Sequence, residues 1–178
     1  MKLVKTSALL LLASGLAACG RTDDAPAPTL HEIMAGTIDT SADVIWQEST
    51  KAYGEDGHAR EGQLADGDWK NIADAARKLG SGARLIAADE AIAVVRPGMK
   101  ILDEGVVREA VTAAQVEQYV ARDRIGLARH ANELAGMADQ IEAAARARNA
   151  KAVVDLSERL DDVCESCHVR FWYPDQKK

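Results

Sequence analysis

Residues 149–174 read NAKAVVDLSERLDDVCESCHVRFWYP, and the spacing of the apolar side chains within them decides the fold class. Val153, Leu156, Leu160, Cys164, Cys167 and Phe171 recur at steps of three, four and seven, so they form one stripe of an α-helix that starts near Asn149. Pro174 closes that helix, because the residue before a proline is pushed out of the helical region. Cys164, Cys167 and His168 stand at i, i+3 and i+4 and project together.

Working outward, the rest of the chain supplies three more amphipathic helices. The first begins at Thr29, where Thr29 and Glu32 form a capping box directly after a proline. Leu30, Met34, Ile38, Ser41 and Ile45 make its face, and Gly54 with the polar run after it ends the helix. A second helix fits Asp68 to Glu90. Gly80 and Gly82 lie inside it at about 1 kcal/mol each relative to alanine. A kink, a close approach by another group, or simple offset by packing each accounts for them. A third helix runs from the Thr112/Gln115 capping box to about Arg148, with Val111 placed to staple onto Val116 and a face of Val116, Val120, Leu127, Leu134, Met137 and Ile141. The segment from Ala91 to Val111 joins helices two and three.

Composition agrees with this reading. Of 178 residues, 47% are apolar but only 4% aromatic, which suits helices packed through small side chains rather than a sheet. The expected fold is all-α, an antiparallel up-down-up-down four-helix bundle over residues 30–178. A formal charge of −6 with no basic cluster argues against nucleic-acid binding.

Residues 1–18 have the form of a secretory signal: Lys2 and Lys5, an apolar stretch, then small residues before Cys19. Leu16-Ala17-Ala18-Cys19 resembles the lipobox of bacterial lipoproteins, which implies that Cys19 carries lipid and residues 19–29 form a tether to a membrane. Removing Lys2 and Lys5 leaves the mature chain two units more negative. Gly20 after Cys19 resembles the outer-membrane sorting pattern of some lipoproteins, so the expected location is periplasmic and lipid-anchored. That compartment is oxidising, and an idle Cys pair there tends to form a disulfide.

The Cys-x-x-Cys-His run of Cys164, Cys167 and His168 is the attachment signature of a c-type haem, in which each thiol adds to a vinyl group and the imidazole becomes an axial iron ligand. Other readings fit less well. Structural zinc needs four ligands, and the remaining cysteine is the lipidation candidate. A thioredoxin-like pair starts a helix in a βαβ unit, whereas this one ends a helix. A plain disulfide explains neither His168 nor the aromatics after it.

With this motif near the end of a four-helix chain and Phe171 three residues after the histidine, the segment from Leu30 to Tyr173 resembles the class II cytochromes c, the cytochrome c′ group. The resemblance implies one covalent haem c on Cys164 and Cys167, His168 as proximal ligand, and Phe171 packed on the haem. Low-spin members add a methionine near the start of helix one, and LHEIMAGTIDTSADVIW is similar to that pattern. His168 lies about 7 Å from the end of helix four and Met34 about 7 Å from the start of helix one, so their levels coincide and Met34 is the expected sixth ligand. Met99 in the long connection is its rival. His31 is expected on the flank of the helix-one face and His58 at the opposite end of the bundle. His130 falls about 27 Å from the haem end, too distant to take part. Arg96, Lys100, Arg122 and Arg170 are candidates for the haem carboxylates.

The expected function is electron transfer, with a basic redox partner protein steered by the acidic surface. The alternative is a five-coordinate binder of NO or CO, and a third reading is a haem-free lipoprotein that binds a partner through a bundle face. An alanine-rich face leaves room for a homodimer. No nucleophile with a base at helical spacing accompanies the motif, so no enzymatic activity is expected.

Overall fold

A computed structural model describes residues 26–54, 56, 58–102, 104, 111–172 and 174. The expected signal peptide and Cys19 lie outside the described residues. Of the expected tether, residues 26–28 are exposed and outside any helix.

Thr29 opens the first helix through the expected capping box: its side chain accepts from Glu32 N at 3.2 Å, and the Glu32 carboxylate accepts from Thr29 N at 2.8 Å. Helix α1 spans Leu30–Ile33, a π-helical stretch spans Met34–Ile38, and α2 continues through Asp39–Thr50. In the wider π turn Asp39 N reaches back five residues to Met34 O. Thr40 Oγ1 donates to the carbonyls of Gly36 and Thr37 at 3.1 and 3.3 Å, supplementing the ladder where its register changes. Helix α3 spans Asp66–Ala88, two residues ahead of the expected start, because the Asp68 carboxylate caps Ala65 N at 2.8 Å.

The expected continuous third helix is instead two helices. Helix α4, Ala113–Arg122, starts at the Thr112/Gln115 capping box, and α5, Arg124–Arg146, follows a break at Asp123. Asp123 leaves the helical region at φ −146°, ψ 60°, and its carboxylate accepts from Gly126 N at 2.9 Å. The aspartate thus caps a new helix rather than continuing the old one. Helix α6, Ala150–Phe171, starts on Asn149, whose side chain accepts from Ala152 N at 3.0 Å. Arg148, at φ 54°, makes the left-handed turn between α5 and α6.

Among the described residues the regular secondary structure is all-helical, including a short 3₁₀ turn at Glu61–Gln63, with one isolated bridge between Tyr53 and Ala59. The first helix packs on α3, α3 on α5, α5 on α6, and α6 back on α2, closing a ring around a core that includes Ile45, Ile72, Leu79, Ile141 and Leu160. Hydrogen bonds and ion pairs fix the directions. Leu30 N and His31 N donate to the carbonyls of Ala93 and Val94 at 2.8 and 2.9 Å, so the start of α1 meets the chain leaving α3. Arg124 reaches Ile92 O at 3.1 Å, and Arg148 pairs with Asp66 at 2.8 Å, so α5 runs antiparallel to α3.

Both interior glycines of α3 are explained by close approach. A Cβ on Gly82 would stand 3.0 Å from Ile38 Cδ1 and Thr37 Cγ2, and one on Gly80 would stand 3.2 Å from Ala138 Cβ. The connection after α3 is, in its described part, a packed cap, with Ile92, Val94 and Ile101 buried.

Candidate functional site

The last two turns of α6 bring Cys164, Cys167 and His168 into the wall of one cleft, as their spacing requires. Leu30 and Met34 close it from the first helix, Ile86 from α3, and Leu127, His130 and Leu134 from α5. Phe171 and Trp172 complete the wall, and nearly all of the lining is apolar. The cleft takes in about 540 Å³ of space between these side chains, a figure that includes the part open to solvent.

The two thiols are free and half-buried. Burial away from water pushes Cys164 up to about 11, with the Asp161 and Asp39 carboxylates adding to the shift. Burial, with Cys164 beside it, pushes Cys167 up to about 12. Both are therefore neutral thiols at physiological pH. Burial likewise lowers the His168 pKa and favours the neutral imidazole that a metal ion requires, with Glu165, Asp39 and Asp161 opposing in part. The His168 ring lies 6.5 Å from that of Trp172.

Met34 is half-buried at the first position of the π-helical stretch. It lines this cleft and a second, more polar one that shares Met34, His168 and Trp172 and adds His31, Ala35, Asp39 and Leu102. Short π segments recur at functional sites because the wider turn re-aims the side chains around it. The rival Met99 is 64% exposed and lines neither cleft.

His31, expected on the flank of the helix-one face, lies outside the apolar cleft. It shares the second cleft with Met34, and its Nε2 is buried without a hydrogen-bond partner among the described residues. His130 departs from its expected place. Because α5 begins at Arg124, His130 is six residues from that end, about 9 Å rather than 27 Å along the axis. It lines the apolar cleft, its ring meets Phe171 edge-on at 6.1 Å, and its Nδ1 lies 3.3 Å from Ser166 Oγ. The signal that would have found it is the Asp123-x-x-Gly126 spacing, since a Cβ on Gly126 would stand 2.0 Å from the Asp123 carboxylate. His58 is exposed, as expected.

Of the cations expected near the site, Arg96 is held by Glu32 through two bonds of 2.7 and 2.9 Å, and Arg170 Nε donates to Asp123 at 2.6 Å. Lys100 and Arg122 are exposed. Among the described residues no group of three or more His, Cys, Asp or Glu side chains is arranged to hold a metal ion, and no helix is long and apolar enough to cross a membrane. No protein-family model, curated protein or solved structure matches this chain.

Proposed function

We propose that the protein is a c-type cytochrome that carries electrons, built as an up-down-up-down four-helix bundle of the class II kind. One observation carries the reading: the two thiols and the imidazole of a Cys-x-x-Cys-His motif share an apolar cleft with the thioether of Met34. The residues present fit haem c. The wall is apolar as the macrocycle needs, and the thiols are unpaired and neutral.

Cys164 and Cys167 would hold the haem through thioether bonds, and His168 and Met34 would supply the protein ligands to its iron. Haem c supplies one-electron chemistry, and Met/His ligation raises its reduction potential. Phe171, buried at 2% exposure, and Leu134 keep water from the apolar wall. No reaction on a substrate is proposed. A basic redox partner suits the net charge of −6. The leader through Cys19 supports a periplasmic lipoprotein, and the exposed, proline-bearing residues 26–28 lead from it into Thr29 as a tether would.

The test is to produce residues 20–178 behind a cleavable secretion signal in a host that matures c-type cytochromes. Ferric and ferrous spectra are then recorded with and without carbon monoxide. A red, low-spin protein indifferent to carbon monoxide is the expected result. A high-spin spectrum that shifts on carbon monoxide would replace the carrier with a gas binder, and a colourless protein would remove the haem.

A further inference from the structure

We infer that this protein is a proton-coupled carrier, in which His130 takes up a proton from solvent at Nε2 when the haem gains an electron and releases it on oxidation. The inference rests on the cytochrome reading above and adds a function to it. His130 is absent from the Cys-x-x-Cys-His motif, yet it forms part of the same apolar wall as Cys164, Cys167 and His168.

The hydrogen bonds around the ring set its tautomer. Ser166 Oγ donates its own proton to Val163 O at 2.9 Å, so towards His130 it can only accept. Nδ1, 3.3 Å away, is therefore the nitrogen that carries hydrogen, and the Glu133 carboxylate at 3.9 Å favours the same arrangement. Nε2 is left with a lone pair, and no group among the described residues hydrogen-bonds to it. The ring is fixed edge-on to Phe171, and its side chain keeps 11% of its surface exposed, a route for a proton from water.

The charged groups around His130 oppose one another. Arg129 on the same helix and Arg170 on α6 oppose the imidazolium, while Glu133 on the same helix and Asp123 at the helix start favour it. Burial tips the ring to neutral, holding its pKa below the ordinary imidazole value. Of the titratable groups in the shared wall, Cys164 and Cys167 would be consumed as thioethers and His168 as a ligand. An added electron makes the centre one unit more negative. Across an apolar wall that change is poorly screened, so it raises the His130 affinity for a proton. One proton enters from water for one electron gained, and both leave on oxidation.

The experiment is the midpoint potential of the haem-loaded protein followed by spectroelectrochemistry across pH, in wild type, His130→Gln and His31→Gln. The wild-type potential should fall as pH rises, over a window that opens on the acid side of the ordinary imidazole range, with a slope approaching about 59 mV per unit for one proton per electron. His130→Gln, which keeps a donor for Ser166, should flatten that window, and His31→Gln should leave it in place. A red, low-spin wild type whose potential ignores pH would overturn the inference while leaving the carrier standing, and needs no variant to read. So would a slope that survives His130→Gln or vanishes in His31→Gln. A colourless or high-spin wild type would overturn the carrier, and the inference with it.

Discussion

Arg170 Nε donates to Asp123 Oδ2 at 2.6 Å, tying the end of α6 to the break that starts α5. The same carboxylate caps α5 through Gly126 N, so one side chain both ends the α4 direction and anchors the helix that carries the cysteines. The Gly126 amide first, and Arg170 next, hold the Asp123 carboxyl below the usual carboxylate range. A depressed folded pKa gives stability that is present above the unfolded value of about 3.9 and lost as pH falls through the folded one. Asp123→Asn keeps a capping oxygen but removes the charge. It should melt below wild type at neutral pH, and the gap should close as pH falls below about 4. Circular-dichroism melts at both pH values check this, and added salt should shrink the neutral-pH gap because the pair is exposed.

The helix caps were legible because they are local. Thr29 with Glu32 and Thr112 with Gln115 sit three residues apart, and no tertiary contact is needed to read them. The Asp123 break was not, because Val116, Val120 and Leu127 keep a helical period across it. The local clues were Gly126, three residues past the aspartate, and Ile125, an apolar residue out of phase that is 86% exposed. Missing the break displaced His130 from the cleft by several turns. Cys164, Cys167 and His168 were readable because one helical turn dictates their common face. The polar second cleft, with His31 in it, depends on how α1 meets the 93–94 segment, which no spacing reveals.

The glycines of α3 and α5 should respond in opposite directions. Nothing stands within 4 Å of a Cβ built on Gly136, so Gly136→Ala should gain the helix-propensity difference, about 0.8–1 kcal/mol. At Gly82 the added group meets Ile33, Thr37 and Ile38, of which Ile33 and Ile38 are core residues. Gly82→Val should therefore destabilise by about 1–3 kcal/mol, as overpacked sites do. Urea unfolding of the two variants beside wild type decides the signs.

Trp46 Nε1 donates to Ser157 O at 2.9 Å and joins α2 to α6 about two helical turns before Cys164. Trp46→Phe retains most of the apolar contact and removes the donor. It should cost about 0.5–1.5 kcal/mol in urea unfolding. Because the contact lies far from Met34 and His168, the absorption spectrum of the haem-loaded protein should not change. A spectral change would mean that the α2–α6 seam, and not only the π-helical stretch, positions the methionine.

Met34 and Met99 separate the proposed ligand from its rival. Met34 lines the cleft with His168, whereas Met99 is 64% exposed in the connection after α3. In the haem-loaded protein Met34→Ala should lose the low-spin spectrum, gain a carbon monoxide response and lower the potential, since the thioether that favours the ferrous state is gone. Met99→Ala should leave all three as in wild type. Met34→Leu controls for packing, because it restores apolar volume without sulfur: if its spectrum matches Met34→Ala, ligation is the cause. If Met34→Leu stays low-spin, a different side chain must reach the iron, and His31, whose buried Nε2 lacks a partner in the adjoining cleft, is the residue to substitute next.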